Sequence, residues 1–173
     1  MIILLPIGNI DSATLEDLRR PLEEIFGQGT EIGKGIPLTP DTFNERRGQH
    51  LSTALLTRLP LPRPGDRTLG VVDADAFASG LNFVFGEADI LGRRAIISLA
   101  RLRPEFYGLP ADDNLFCERM RKEAVHELGH TYGVRHCPNA TCVMHFSNRL
   151  RDTDVKGGQF CPTCQKKIGA KHD

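Results

Sequence analysis

Between positions 126 and 136 the chain reads His126-Glu127-Leu128-Gly129-His130-Thr131-Tyr132-Gly133-Val134-Arg135-His136, and no other string restricts its fold as much. Residues four apart lie one above the other on a helix. His126 and His130 therefore present two imidazoles to one ion, at about 2.0–2.1 Å, if this segment is helical. A third imidazole at the same ion requires the chain to turn back. Gly133 permits the turn, because glycine takes positive φ without a Cβ penalty, and His136 follows three residues later. Three histidines leave one position of a tetrahedral zinc open, the arrangement of a catalytic rather than a structural ion. Glu127, beside the first ligand, is placed to take a proton from water and hand it to a leaving amine. The short H-E-x-x-H string arises by chance on unrelated helices. The added glycine and third histidine make solvated or core histidines the poorer explanation.

Five cysteines are present: Cys117, Cys137, Cys142, Cys161 and Cys164. The last four form a C-x-x-x-x-C pair and a C-x-x-C pair. Four thiolates in two short-spaced pairs can close a tetrahedral structural zinc site, which supplies folding energy to a segment poor in apolar residues. Two disulfides or free thiols are the alternatives. The N-terminal run Ile2–Ile7 lacks a basic leader and is too short for a membrane span, so the chain is expected to stay in the cytoplasm. Disulfides are rare there, which favours metal. Cys117 reads instead as a small buried hydrophobe on a helix.

The 173 residues fit one domain. Lys plus Arg and Asp plus Glu both number 22. That balance argues against nucleic acid as a partner, which calls for a basic excess, and no stretch suggests a membrane partner. Ile2–Ile7 reads as a buried strand, and Asp11 or Ser12 caps a helix to about Phe26 whose Leu15, Leu18, Leu22 and Ile25 share a face. An extended segment at Glu31–Leu38 and a second helix at Thr42–Arg58 follow. Thr68–Val72, Phe83–Phe85 and Ala95–Leu102 read as strands. Strands interleaved with helices imply an α/β sheet with right-handed crossovers. A long helix from Asp113 or Asn114 to Tyr132 carries an apolar stripe of Cys117, Met120, Ala124 and Leu128, with the histidines expected to face outward into a cleft. Gly133 stops it. The expected division is 1–133, holding sheet and long helix, and 134–173, irregular, with a short helix after Cys164.

Residues 125–164 resemble the archaemetzincin family of zinc metallopeptidases, within the metzincin clan. The resemblance rests on the extended three-histidine string, then on Cys137, Cys142 and Met144 in order, then on Cys161-Pro162-Thr163-Cys164. Asn82–Ala88 is similar to that family's edge-strand region. Sixteen residues separate Met144 from Cys161, about one fewer than the family pattern, a change a loop tolerates. The resemblance implies a metzincin-like (zincin) α/β (α+β) fold: a mixed twisted sheet of about five strands, an active-site helix and a small irregular cysteine-rich end. It implies two zinc ions, one catalytic on His126, His130 and His136, one structural on Cys137, Cys142, Cys161 and Cys164. Glu127 would be the acid/base, and Met144 the methionine of the turn beneath the catalytic ion. Phe83, Val84 and Phe85 would form the edge that takes a peptide or protein substrate by strand addition.

His50, His145 and His172 lack ligand spacing. Asp73 and Asp75 read as turn caps rather than calcium ligands, and Arg19-Arg20, Arg46-Arg47 and Arg93-Arg94 as solvated pairs. Tyr107 and Tyr132 are candidate oxyanion donors. The chemistry expected is hydrolysis of peptide bonds. Two other readings compete: a catalytically silent zinc-binding peptide-recognition module, which has no use for Glu127, and a cysteine-built interaction or nucleic-acid module, which charge neutrality disfavours.

Overall fold

The computed structural model describes residues 1–169. Its elements in chain order are β1 (Ile2–Ile7), α1 (Ser12–Phe26), β2 (Thr30–Ile32), β3 (Phe43–Asn44), β4 (Gln49–Leu51), α2 (Ser52–Arg58), β5 (Arg67–Val72), β6 (Ala76–Phe77), β7 (Gly86–Asp89), β8 (Arg94–Ser98), α3 (Asp113–Thr131), α4 (Leu150–Val155) and α5 (Pro162–Gly169). The main sheet has the order β2-β1-β5-β8-β7. Its pairs are parallel except β7 with β8, which is antiparallel. This is the mixed five-stranded sheet expected.

Side chains alternate across the sheet. Ile2, Leu4, Leu69, Val71, Ala95 and Ile97 pack towards α1 and α3, whereas Leu5, Ile7, Val72 and Ile96 pack with Leu55, Leu56 and Leu59 on the other face. Strands covered on both faces read as continuous apolar runs, which is why β1, β5 and β8 stand out in the sequence. On α1, the Asp11 carboxylate accepts from Ala13 N–H at the start and Gly27 takes the left-handed conformation at the end.

Several expected boundaries shift. The helix expected over Thr42–Arg58 is helical only from Ser52, because Phe43–Asn44 pairs with Gln49–His50 and His50–Leu51 pairs with Ala76–Phe77. The strand expected over Ala95–Leu102 ends at Ser98 and turns at Leu99 into a single helical turn. The last helix starts at Pro162, before Cys164, and α4 adds helix to the end expected to be irregular. The stripe on α3 is half of the story. Met120, Ala124 and Leu128 are buried, but so are Arg119, Lys122, Glu123, His126 and Glu127, so α3 is enclosed on nearly all sides. The second cover is α4: Arg119 forms a two-point ion pair with Asp154, and Lys122 Nζ donates to the carbonyls of Thr153 and Asp154.

Candidate active site

The Asp112 carboxylate caps α3 by accepting from Leu115 N–H. The helix ends at Thr131, and Gly133 takes φ 77, the left-handed turn that returns the chain. The result brings His126, His130 and His136 together, their ligand atoms all within 4.8 Å of one another.

Two of the three are oriented through their far nitrogens. His126 Nδ1 lies 2.8 Å from Val143 O, and His130 Nδ1 lies 2.8 Å from Val134 O. A carbonyl only accepts, so both Nδ1 atoms carry the proton. Each neutral ring then points the lone pair of Nε2 at the other, and those two atoms are 3.2 Å apart. Facing lone pairs repel unless a cation lies between them. Two nitrogens about 2.0–2.1 Å from a shared tetrahedral ion stand roughly 3.3 Å apart, so the pair fits zinc. Burial holds all three imidazoles below the ordinary histidine range, in the neutral form a metal requires.

Glu127 is buried, and burial, followed by the charge of Glu123, pushes its carboxyl well above the usual range, the direction a general base needs. Its position is set by a neighbour that nothing in the motif announces. Gly86, the first residue of β7, lies so close that a Cβ there would stand 2.5 Å from Glu127 Cγ, 2.8 Å from its Cδ and 2.6 Å from Ile96 O. Gly86→Ala therefore has to move the carboxylate or the strand. A displacement of about 1 Å in such a group costs on the order of 10²-fold in turnover, and that loss is expected with zinc content unchanged, as steady-state kinetics beside metal analysis would show.

The cleft before these groups has a volume of about 240 Å³. Its wall includes Leu81, Phe83, Val84 and Phe85 together with Phe146, Ser147 and Asn148. Phe83–Phe85 is not a strand, contrary to expectation: the edge strand is Gly86–Asp89, immediately after it. The segment crosses between two partners instead of following one: Val84 N–H donates to Ala76 O, whereas Phe85 O accepts from Ser98 N–H, and just before it the carbonyls of Leu81 and Asn82 accept from the side chains of Arg47 and Gln49. Ser147 Oγ is buried and has no hydrogen-bond partner among the described residues.

Cys137, Cys142, Cys161 and Cys164 also converge within 4.8 Å. All are free thiols, and Cys137 Sγ lies 3.8 Å from Cys161 Sγ. Two sulfurs about 2.3 Å from a shared tetrahedral ion stand roughly 3.8 Å apart, so this set also fits zinc. The Cys164 N–H brings the Cys161 thiol down to about 7. The Met-turn candidate Met144 packs against α3, where a Cβ on Gly129 would meet its Sδ at 2.5 Å.

Other candidates lie elsewhere. The Tyr132 hydroxyl donates to Gln28, with Phe26 stacked on the ring, and the Tyr107 hydroxyl donates to Arg101 O. Neither lines the cleft. Asp73 and Asp75 pair with Arg103 and Arg101. His50 bonds Thr42, and His145 bonds Cys137 O. Arg94 is no solvated residue: it bonds Asp89 and the carbonyl of Leu59. Arg47 stacks on Phe77. Cys117 is half-buried beside Asp17. His172 lies outside the described residues. Gly86, Glu123 and Lys156 were not anticipated, and only Gly86 left a trace, as a glycine next to strand-like residues.

Residues 63–170 match the sequence model of peptidase family M54. The archaemetzincin of Methanocaldococcus jannaschii is 46% identical over 167 residues, 96% of this chain and 92% of that one. A crystal structure of the archaemetzincin of Archaeoglobus fulgidus, complexed with malonate, superposes with a TM-score of 0.85 at 40% identity, covering 96% of this chain and 99% of that one. The Methanopyrus kandleri archaemetzincin gives 0.87 at 36% identity, over 99% and 95%. Likeness of this extent, over nearly the whole chain, makes it a member of the archaemetzincin family, peptidase family M54, and a zinc metallopeptidase.

Proposed function

We propose that His126, His130 and His136 hold the catalytic zinc and that Glu127 is the general acid/base in hydrolysis of peptide bonds. The observation that carries this is the pair of Nε2 lone pairs 3.2 Å apart, each ring fixed by a carbonyl, beside a buried carboxylate. Zinc, when bound, supplies polarisation of the scissile carbonyl and acidification of the attacking water. The protein's own part is proton transfer and placement. Glu127 takes the proton from the attacking water and returns it to the leaving nitrogen. Its raised affinity for a proton suits it to the first step, and the carboxylic acid so formed serves the second.

Substrate backbone is placed by β7. That strand ends the sheet among the described residues, so one row of its N–H and C=O groups is left without a strand partner there and can pair with an extended peptide. Leu81, Phe83, Val84, Phe85 and Phe146 then surround a side chain next to the scissile bond, which favours a large apolar residue there. A second zinc, structural, is held by the four converging cysteines, with Met144 packed beneath the catalytic histidines. No helix among the described residues is long and apolar enough to cross a membrane. Peptides and proteins are the substrates the family implies.

A peptide library presented to zinc-loaded protein is expected to be cut beside large apolar residues, and cutting should stop on chelation and return on zinc addition. Tight peptide binding with no turnover by the loaded protein would instead favour a silent recognition module.

A further inference from the structure

The reaction leaves unused a second buried pair of charges behind the histidines. Lys156, at the end of α4, is completely buried, and its Nζ is 2.9 Å from Oε1 of Glu123, itself 2% exposed. Glu123 lies one helical turn before His126 and Glu127 on α3, and Thr153 Oγ1 donates to the same Oε1. Lys156 Nζ also stands 3.5 Å from His126 Nδ1. The proton on that nitrogen is given to Val143 O, so the ammonium sits beside the ring as a charge, not as a partner. An unpaired cation in that place would oppose a divalent ion on the opposite side of the imidazole, in an interior where screening is weak.

We infer that Glu123 and Lys156 are positioning residues acting as a charge-balanced pair, in which Glu123 cancels Lys156 so that His126 can bind the catalytic zinc tightly. This rests on the three-histidine reading of the metal site. The pair fixes the end of α4 against α3, as a lysine can do over its long apolar stem, while adding no net charge behind the ligand. A buried pair of this kind is costly to break but not costly to replace whole. That gives it a signature scaffolding alone lacks: the two single substitutions should differ in sign, and the double should recover.

The test uses the full chain, loaded with cobalt(II) and titrated with a competing chelator. Thiolate-to-cobalt absorption reports the four-cysteine site, and the weaker visible bands report the three-histidine site. Glu123→Gln keeps the acceptor for Thr153 and leaves Lys156 uncompensated, and should weaken the three-histidine site by roughly tenfold or more. Lys156→Met should bind there at least as tightly as the parent. The double variant should return to within about threefold of the parent, with thiolate absorption constant throughout. Equal affinity in all four proteins, or a double variant weaker than Glu123→Gln, overturns the inference. If Glu123→Gln fails to fold, Lys156→Met decides, since loss of a mere scaffold would loosen its metal tenfold. A parent that takes no metal at its histidines overturns the proposed function itself, a distinct result.

Discussion

Glu127→Gln is expected to lower peptide hydrolysis by about 10²–10⁴-fold, the range for a positioned general base, while both metals stay bound. Glutamine has the same shape, so it fits the space against Gly86 that a longer or branched group would not. It cannot accept the proton of the attacking water. The neutral amide also removes a carboxyl that burial and Glu123 already disfavour as an anion, so the variant should unfold at no lower temperature than the parent. Kinetics on a peptide cut by the parent, metal analysis and a thermal scan check the three parts. Retention of full activity at parental metal content would remove Glu127 from the mechanism.

The second large effect is expected from Cys161→Ser with Cys164→Ser. The segment after Gly133 is short of apolar side chains, and a structural zinc contributes roughly 10–16 kcal/mol of apparent binding energy at such sites. Losing two of four thiolates should release one metal equivalent and open the segment beyond residue 136 to proteolysis, with β1 to α3 left protected. The damage should travel to the histidines. Cys137 directly follows His136 and its N–H donates to Met144 O, while Val143, whose carbonyl orients His126, lies between Cys142 and Met144. Cys117→Ser, at a thiol beside Asp17 and apart from the cluster, should change stability by no more than about 0.5 kcal/mol. Metal counting and limited proteolysis distinguish the cases. A double variant that keeps its metal and its protease resistance would show that the cysteines are packing residues only.

What the sequence made legible was whatever depends on neighbours in the chain. The histidine spacing, the glycine turn, the cap on α1 and the apolar runs of the buried strands are all local signals. The misreadings came from pairings at long range. Gln49–Leu51 becomes a strand because Ala76–Phe77 lies beside it, and the polar Gly86–Asp89 pairs because β8 supplies a ladder; the aromatic Phe83–Phe85, the better strand former, divides its backbone bonds between Ala76 and Ser98 and follows neither strand. The apolar stripe of α3 says nothing of its charged residues Arg119, Lys122 and Glu123. They are buried because α4, some thirty residues later, brings Asp154 and Lys156 to meet them. No periodicity within one helix reports a partner that distant.

The closeness of Gly86 to Glu127 bears on how activity is assigned among related chains. A homologue could keep every histidine, the glutamate and all four cysteines, and still lose on the order of 10²-fold in turnover through one methyl group on a strand about forty residues upstream. Signature matching would classify it as active. Sorting working peptidases from inactive relatives in this family therefore calls for inspecting the residue that faces the glutamate from the sheet, together with the string that contains it.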